Sequence, residues 1–154
     1  MRAVIQRVAR ASISDAENNP QEPFASIGKG ALALIGCEVG DGENDALYIA
    51  GKIARLRIFE DDDGKMNLSA QDVGAEILAA SQFTLLGDAR KGRRPSFSKS
   101  QDPDMARELI DRTVRALREE WGLATQTGRF GTRMLVSLDN DGPVTILLDS
   151  RKTF

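Results

Sequence analysis

The stretch Gly28–Gly42, GKGALALIGCEVGDG, constrains the fold more than any other part of the chain. Its middle, Ala31 to Cys37, is apolar on both parities and is bounded by glycine turns. A strand with one wet face alternates apolar and polar residues, whereas a continuous apolar run needs cover on both faces. The expected fold must therefore place material on each side of this strand.

The neighbouring segments supply it. Arg2 to Ala9 alternates and reads as a first strand. A polar, proline-containing excursion from Asp15 to Pro23 follows, and reads as the tip of a hairpin. From Glu43 to Leu56 the period changes: Ala46, Ile49, Ala50 and Ile53 recur at helical spacing, with Asp41 as the expected cap. RLRIFEDDDGKMNLS gives a strand, an acidic turn at Asp61 to Gly64 and a short extended piece. AEILAASQFTL is a second buried strand, followed by a loop rich in Gly, Ser, Arg and Lys. Asp102-Pro103 opens the clearest helix, with Met105, Leu109, Ile110, Val114 and Leu117 on one face and Trp121-Gly122 at its end. TGRFGTRMLVSL and PVTILLDS read as two final strands, joined by a turn at Asn140-Asp141-Gly142-Pro143. The expected fold is α+β: a strongly curved, largely antiparallel or mixed sheet with two main helices. All 154 residues form one domain, 1–154, without repeat or linker.

Composition matters most through what is missing. The chain has no histidine and one cysteine, Cys37. Ser-His-Asp and Cys-His catalysis are excluded, as are histidine metal ligands and a thiolate zinc site. No metal and no cofactor are expected. Cys37 reads as a core residue, and a reducing, cytoplasmic setting suits it. No apolar run approaches the ~18 residues that cross a membrane, and MRAVIQRV reads as a strand, not a leader. Net charge is -2, so any nucleic-acid contact must use a local patch.

Four stretches carry candidate chemistry, each with a plainer reading beside it. Glu60 to Asp63 lacks calcium-loop spacing and reads as a solvated turn. ARKGRR places Arg90, Lys91, Arg93 and Arg94 in one loop, as a phosphate contact or as an unliganded surface loop. Phe97 beside it either stacks on a base or is a buried anchor. Ser81, Gln82, Phe83 and Thr84 end a buried strand, as a site or as capping residues. No histidine is present to activate their hydroxyls. Gly142-Pro143, taken alone, reads as a trans turn.

Together these segments resemble the D-aminoacyl-tRNA deacylase family over nearly the whole length. The resemblance rests on MRAVIQRV, LRIFEDDDGKMNLS, SQFTLLGDARKGRRPSF and TGRFGTRMLVSLDNDGPVT. Its signatures are Ser81-Gln82-Phe83-Thr84 and Asn140-Asp141-Gly142-Pro143-Val144-Thr145, in this order and separation. Leu86, where the family often has tyrosine, and the long Asp15–Pro23 excursion depart from the pattern outside both signatures.

The resemblance implies a hydrolase that cleaves the ester of D-aminoacyl-tRNA, and of mischarged glycyl-tRNA, releasing free amino acid and tRNA. The role implied is chiral proofreading, a quality-control step of translation in the cytoplasm. By similarity, backbone amides near Phe83 and Thr84 meet the oxyanion, with the Thr84 hydroxyl in support. The hydroxyl of the terminal ribose assists the attack, which accounts for a hydrolase without histidine. The resemblance also implies a homodimer and a cis Gly142–Pro143 bond. The turn of one subunit enters the pocket of the other, where the carbonyls of Gly142 and Pro143 exclude L side chains. Substrate binding thus falls to Gly142, Pro143, Asn140 and Arg7. Arg7 either holds the turn through a carbonyl or is a surface arginine at a strand edge. The rival classes are a non-catalytic RNA-binding module using Arg90–Arg94, and a general esterase without chiral preference.

Overall fold

A computed structural model describes residues 1–154. In chain order the elements are β1 (Arg2–Asp15), β2 (Asn19–Ile27), β3 (Gly30–Gly36), α1 (Glu43–Arg55), β4 (Arg57–Glu60), β5 (Met66–Ser69), α2 (Ala70–Val73), β6 (Glu76–Ser81), α3 (Pro103–Arg115), β7 (Thr125–Thr127) and β8 (Met134–Asp149). A 3₁₀ turn, Phe83–Leu86, follows β6, and a π-helical turn, Ala116–Glu120, extends α3. The fold is mixed α+β, as expected, with a short third helix beside the two main ones. No helix is long and apolar enough to cross a membrane.

β1 is the spine. Along one edge it pairs antiparallel with β8, from Arg2↔Asp149 to Asp15↔Met134. Along the other it pairs with β3 up to Val8↔Gly30, then with β2 from Ala11↔Ile27. β2 and β3 thus form one broken line, kinked at Gly28-Lys29. β3 pairs parallel with β6, and β6 parallel with β7. β4 and β5 form a separate antiparallel hairpin.

The burial pattern of β3 answers the demand set by its sequence. Ala31, Ala33 and Ile35 join a cluster with Ala46, Ile49, Ala50 and Ile53 of α1 and with Leu109, Ile110 and Val114 of α3. Leu32 faces the other way, into a smaller cluster with Val8, Ala11, Ile13, Ala25, Ile27, Leu78 and Ala80. Each fully buried Ile or Leu in these clusters contributes ~1.5–3 kcal/mol through apolar burial.

Several expectations need correction. β1 continues to Asp15, because Ala11 and Ile13 extend its buried face while small serines fill the alternate positions. The excursion shrinks to Ala16–Asn18; Asn19–Pro23 already belong to β2. The Asp15 carboxylate tightens that turn by accepting from the amides of Glu17 at 3.0 Å and Asn18 at 2.9 Å. Gly42, not Asp41, caps α1, and Asp45 accepts from the Gly42 amide at 2.9 Å. Asp41 is buried and pairs with the Met1 ammonium at 2.7 Å and with Arg151 at 2.9 Å. β6 stops at Ser81 and not at Leu85.

The largest correction concerns Asn140–Thr145, which is not a hairpin connection. β8 stays paired with β1 on both sides of it: Asn140 faces Val8 and Thr145 faces Gln6. The residues between them bulge out opposite Arg7. The Gly142–Pro143 bond in this bulge is cis, as the resemblance implies and contrary to the reading of the dipeptide alone.

Candidate active site

Ser81 is the last residue of β6, and the ladder to β3 extends one step beyond it: the Gln82 amide donates to the Ile35 carbonyl at 2.7 Å. The chain then tightens into the 3₁₀ turn, whose first internal bond runs from the Leu85 amide to the Gln82 carbonyl at 3.3 Å. The amides of Phe83 and Thr84 precede that bond, so neither has a partner within the turn. The Gln82 side-chain amide donates to the Thr84 hydroxyl oxygen. Thr84 Oγ1 thus has one lone pair engaged and its proton free to donate outward. Phe83 and Thr84 are exposed, while Ser81 and Gln82 are half-buried.

Close approach of β3 fixes this turn. A Cβ on Gly36 would lie 2.6 Å from Leu86 Cδ2 and 2.7 Å from the Gln82 carbonyl oxygen. Only a glycine at this position lets the end of β3 support the turn from below.

The turn opens onto a cavity of about 640 Å³. Its wall includes Ile35, Gly36 and Cys37 from the end of β3, Ser81, Gln82 and Phe83, Pro103, Ala106 and Ile110 of α3, and the segment Phe130–Met134. The volume lies within the usual range for small-molecule sites. Arg133 is the one charged side chain in the lining, and no carboxylate borders the cavity. Burial pushes the Cys37 thiol up to about 12, so this wall residue is a neutral thiol.

Phe130 was not anticipated as a wall residue. It falls in Gly128-Arg129-Phe130-Gly131, which the alternation of TGRFGTRMLVSL assigned to a strand. The segment is instead a loop between β7 and β8. The Arg107 guanidinium lies over the Phe130 ring at 4.9 Å, and Arg129 over Phe24 at 4.2 Å, so two cation–π contacts fix adjacent residues of the loop. An aromatic between two glycines was the available signal.

Arg7 is buried, only 4% exposed, which disposes of the surface reading. It continues the face of β1 that holds Ala3 and Ile5, so its charge must find partners inside. Nη1 donates to the Ile58 carbonyl at 2.7 Å, and Nε donates to the Asp141 carbonyl at 3.2 Å. The carboxylates of Asp141 and Glu60 lie 3.1 and 3.3 Å away. Asn140 closes the bulge from within: its Nδ2 donates to the carbonyls of Arg7 and Val144, each at 2.9 Å. Gly142 adopts φ +126°, and a Cβ there would stand 2.7 Å from Val144 Cγ2 and 3.2 Å from Arg7 Nη2. Gly142 and Pro143 themselves are exposed.

The chain does not bring all expected site residues together. Ser81, Gln82 and Phe83 border the cavity, with Thr84 next in the same turn. Gly142, Pro143, Asn140 and Arg7 lie outside its lining. Arg90, Lys91, Arg93 and Arg94 occupy a separate exposed loop, closed at its base by paired amide-to-carbonyl bonds between Asp88 and Ser96 at 2.8 and 2.9 Å. Arg90 turns back onto Asp88, whose carboxyl is held well below the usual range by hydrogen bonds from that guanidinium and from the Arg90 amide. Phe97 is 37% exposed and is thus no buried anchor. The acidic turn after β4 is closed by Asp61, whose carboxylate accepts from the amides of Asp63 and Lys65 at 3.0 and 2.9 Å. No group of three or more His, Cys, Asp or Glu side chains is arranged to hold a metal ion.

Known proteins share this architecture and these segments. A D-aminoacyl-tRNA deacylase of Desulforamulus reducens is 54% identical over 154 residues, covering the whole of both chains. A solved structure described as a c-Myc DNA unwinding element binding protein superposes with a TM-score of 0.88 at 37% identity, covering 97% of this chain and 98% of that one. A probable eukaryotic D-amino acid tRNA deacylase shares the fold, with a TM-score of 0.80 at 17% identity over 96% of this chain and 97% of its own. The sequence model of the D-Tyr-tRNA(Tyr) deacylases matches residues 4–149, and the chain belongs to that family.

Proposed function

We propose that the protein hydrolyses the ester of D-aminoacyl-tRNA, and of glycyl-tRNA, as a homodimer whose sites are shared between subunits. The observation that carries the hydrolytic part is the 3₁₀ turn at the cavity wall. There, two amides without partners in the turn stand beside a hydroxyl oriented by Gln82. Water attacks the ester carbonyl carbon, and the developing oxyanion is met by the amides of Phe83 and Thr84 with the Thr84 hydroxyl in support. The carbon–oxygen bond to the ribose breaks, the ribose oxygen takes up a proton, and free amino acid and tRNA leave. The neighbouring ribose hydroxyl assists the attack, in place of a protein base. An aminoacyl ester is activated enough for fixed dipoles and a positioned water to lower the remaining barrier.

Chirality is read by exclusion. The carbonyls of Gly142 and Pro143 face the substrate Cα and leave room for hydrogen only. A D side chain points away, an L side chain collides, and glycine passes in part. The bulge is exposed and outside the cavity of its own chain, which favours delivery to the cavity of a second copy. β8 also has an unpaired outer edge, with Leu135 and Leu147 48% and 60% exposed, as an interface strand would. The Arg90–Arg94 loop supplies tRNA phosphate contacts. The test is to follow deacylation of D-, L- and glycyl-tRNA bearing the same tRNA. Rapid hydrolysis of the D ester, slower hydrolysis of the glycyl ester and a spared L ester are expected. Binding without turnover would favour an RNA-binding module, and equal D and L rates a general esterase.

A further inference from the structure

We propose that Phe83 and Phe97 form a stacking platform for the base that precedes the terminal nucleoside of the substrate RNA. The inference rests on the reading of the cavity as an aminoacyl-tRNA site. Phe83 is 59% exposed and Phe97 37% exposed, unusual for large aromatic side chains. The two rings meet edge to face, with centroids 5.1 Å apart and planes at 70°. Phe97 rests on Gly87 so closely that a Cβ there would lie 3.0 Å from its ring. The pair is thus a supported surface, not two loose side chains.

Its position gives it an occupant. Phe83 is part of the cavity wall, and Ser100 and Gln101, shortly after Phe97, belong to the same wall. Phe97 directly follows the Asp88–Ser96 closure of the basic loop. At the tip of that loop Lys91, Arg93 and Arg94 are exposed and form no ion pair, while Arg90 is held by Asp88. An aromatic surface beside unpaired cations is the arrangement that holds single-stranded nucleic acid: rings take the bases and cations the phosphates. The edge of the cavity that receives a terminal nucleoside is also where the next base of an unpaired 3′ end must lie.

Three D-aminoacyl substrates test the platform: the ester on adenosine, on a CCA trinucleotide, and on that trinucleotide with an abasic penultimate site. Stacking should make kcat/KM about tenfold higher for the trinucleotide than for adenosine, chiefly through KM, and the abasic form should lose most of that gain. Phe97→Leu and Phe83→Leu should each lower the gain severalfold, and Phe97→Trp should retain it. In Phe97→Leu the abasic change should add little further loss. Equal abasic losses in wild type and Phe97→Leu overturn the proposal. A binding arm is independent of turnover: a CCA-type single strand with 2-aminopurine at the penultimate position should be quenched by the wild type and much less by Phe97→Leu. That quench without hydrolysis of any D ester would sustain the platform while refuting the hydrolytic reading. An unchanged quench in Phe97→Leu, with weakened self-association, would assign the rings to a contact between copies and overturn the proposal.

Discussion

In the proposed mechanism the smallest working unit is a side-chain amide and a hydroxyl two residues apart. Gln82 donates to Thr84, which in that mechanism makes the hydroxyl an oriented donor and not an activated nucleophile. Replacing Thr84 by alanine removes that donor and leaves both backbone amides in place. We expect kcat to fall by about ten- to a hundredfold with KM little changed, less than the loss of a principal oxyanion donor. Near-total loss in single-turnover assays, with a trappable acyl-enzyme in the wild type, would instead mark Thr84 as a covalent nucleophile. Arg7 acts through position, tying the bulge to the Ile58 carbonyl. Arg7→Met keeps much of the volume but strands the buried Ile58 carbonyl and the half-buried Asp141 carbonyl. It should cost about 1–3 kcal/mol, read from chemical denaturation, per the penalty for unsatisfied buried groups. The same variant should admit L-aminoacyl-tRNA several times better; an unchanged D-over-L ratio would confine Arg7 to stability.

At the scale of elements, the end of β3 and the turn after β6 act as one unit, and the basic loop is a second. Gly36 lets the first two touch. Gly36→Val would drive methyl groups into the Gln82 carbonyl and Leu86, and such overpacking costs ~1–3 kcal/mol. Because the obstacle is the backbone of the site, D-aminoacyl-tRNA hydrolysis should fall at least a hundredfold in a chain that still melts cooperatively. Full activity would show that the turn is held by other means. Arg93 and Arg94 contact no carboxylate, so their joint replacement by alanine should weaken tRNA binding and flatten its salt dependence. Identical affinities at low and moderate salt would make the loop structural.

How far these elements were legible depends on whether their cause is local. The cover on both faces of β3 and the capped helix α3 follow from periodicity and short motifs, whereas Ser81–Thr84, read alone, is equally a strand end and stands out only through the family resemblance. The bulge was hidden because Asn-Asp-Gly-Pro carries the same turn chemistry whether the chain reverses or merely swells. Only pairing with β1, more than 130 positions away in sequence, decides it. The Asp41 cap failed for a similar reason. Its carboxylate serves the Met1 ammonium and Arg151, partners that no local window contains. The Phe130 wall was missed because alternation continued across a segment whose contacts come from α3 and β2.

At the scale of the whole molecule, the cavity and the bulge are apart in one chain, and the proposed site needs a second copy. Gly142→Val places a side chain at φ +126° against Val144 and Arg7, so the bulge must shift and L exclusion should weaken. Gly36→Val disables the cavity but leaves its own bulge intact. Mixed dimers of the two variants therefore test the shared site directly. Gly142→Val chains are refolded with an excess of Gly36→Val chains, and hydrolysis of D- and L-aminoacyl-tRNA is followed. If the wall is supplied across the dimer, each working cavity now faces an unaltered bulge, so L hydrolysis should fall toward the wild-type level while D hydrolysis persists. L hydrolysis that stays as high as in Gly142→Val alone would contradict the shared site and return the bulge to its own chain.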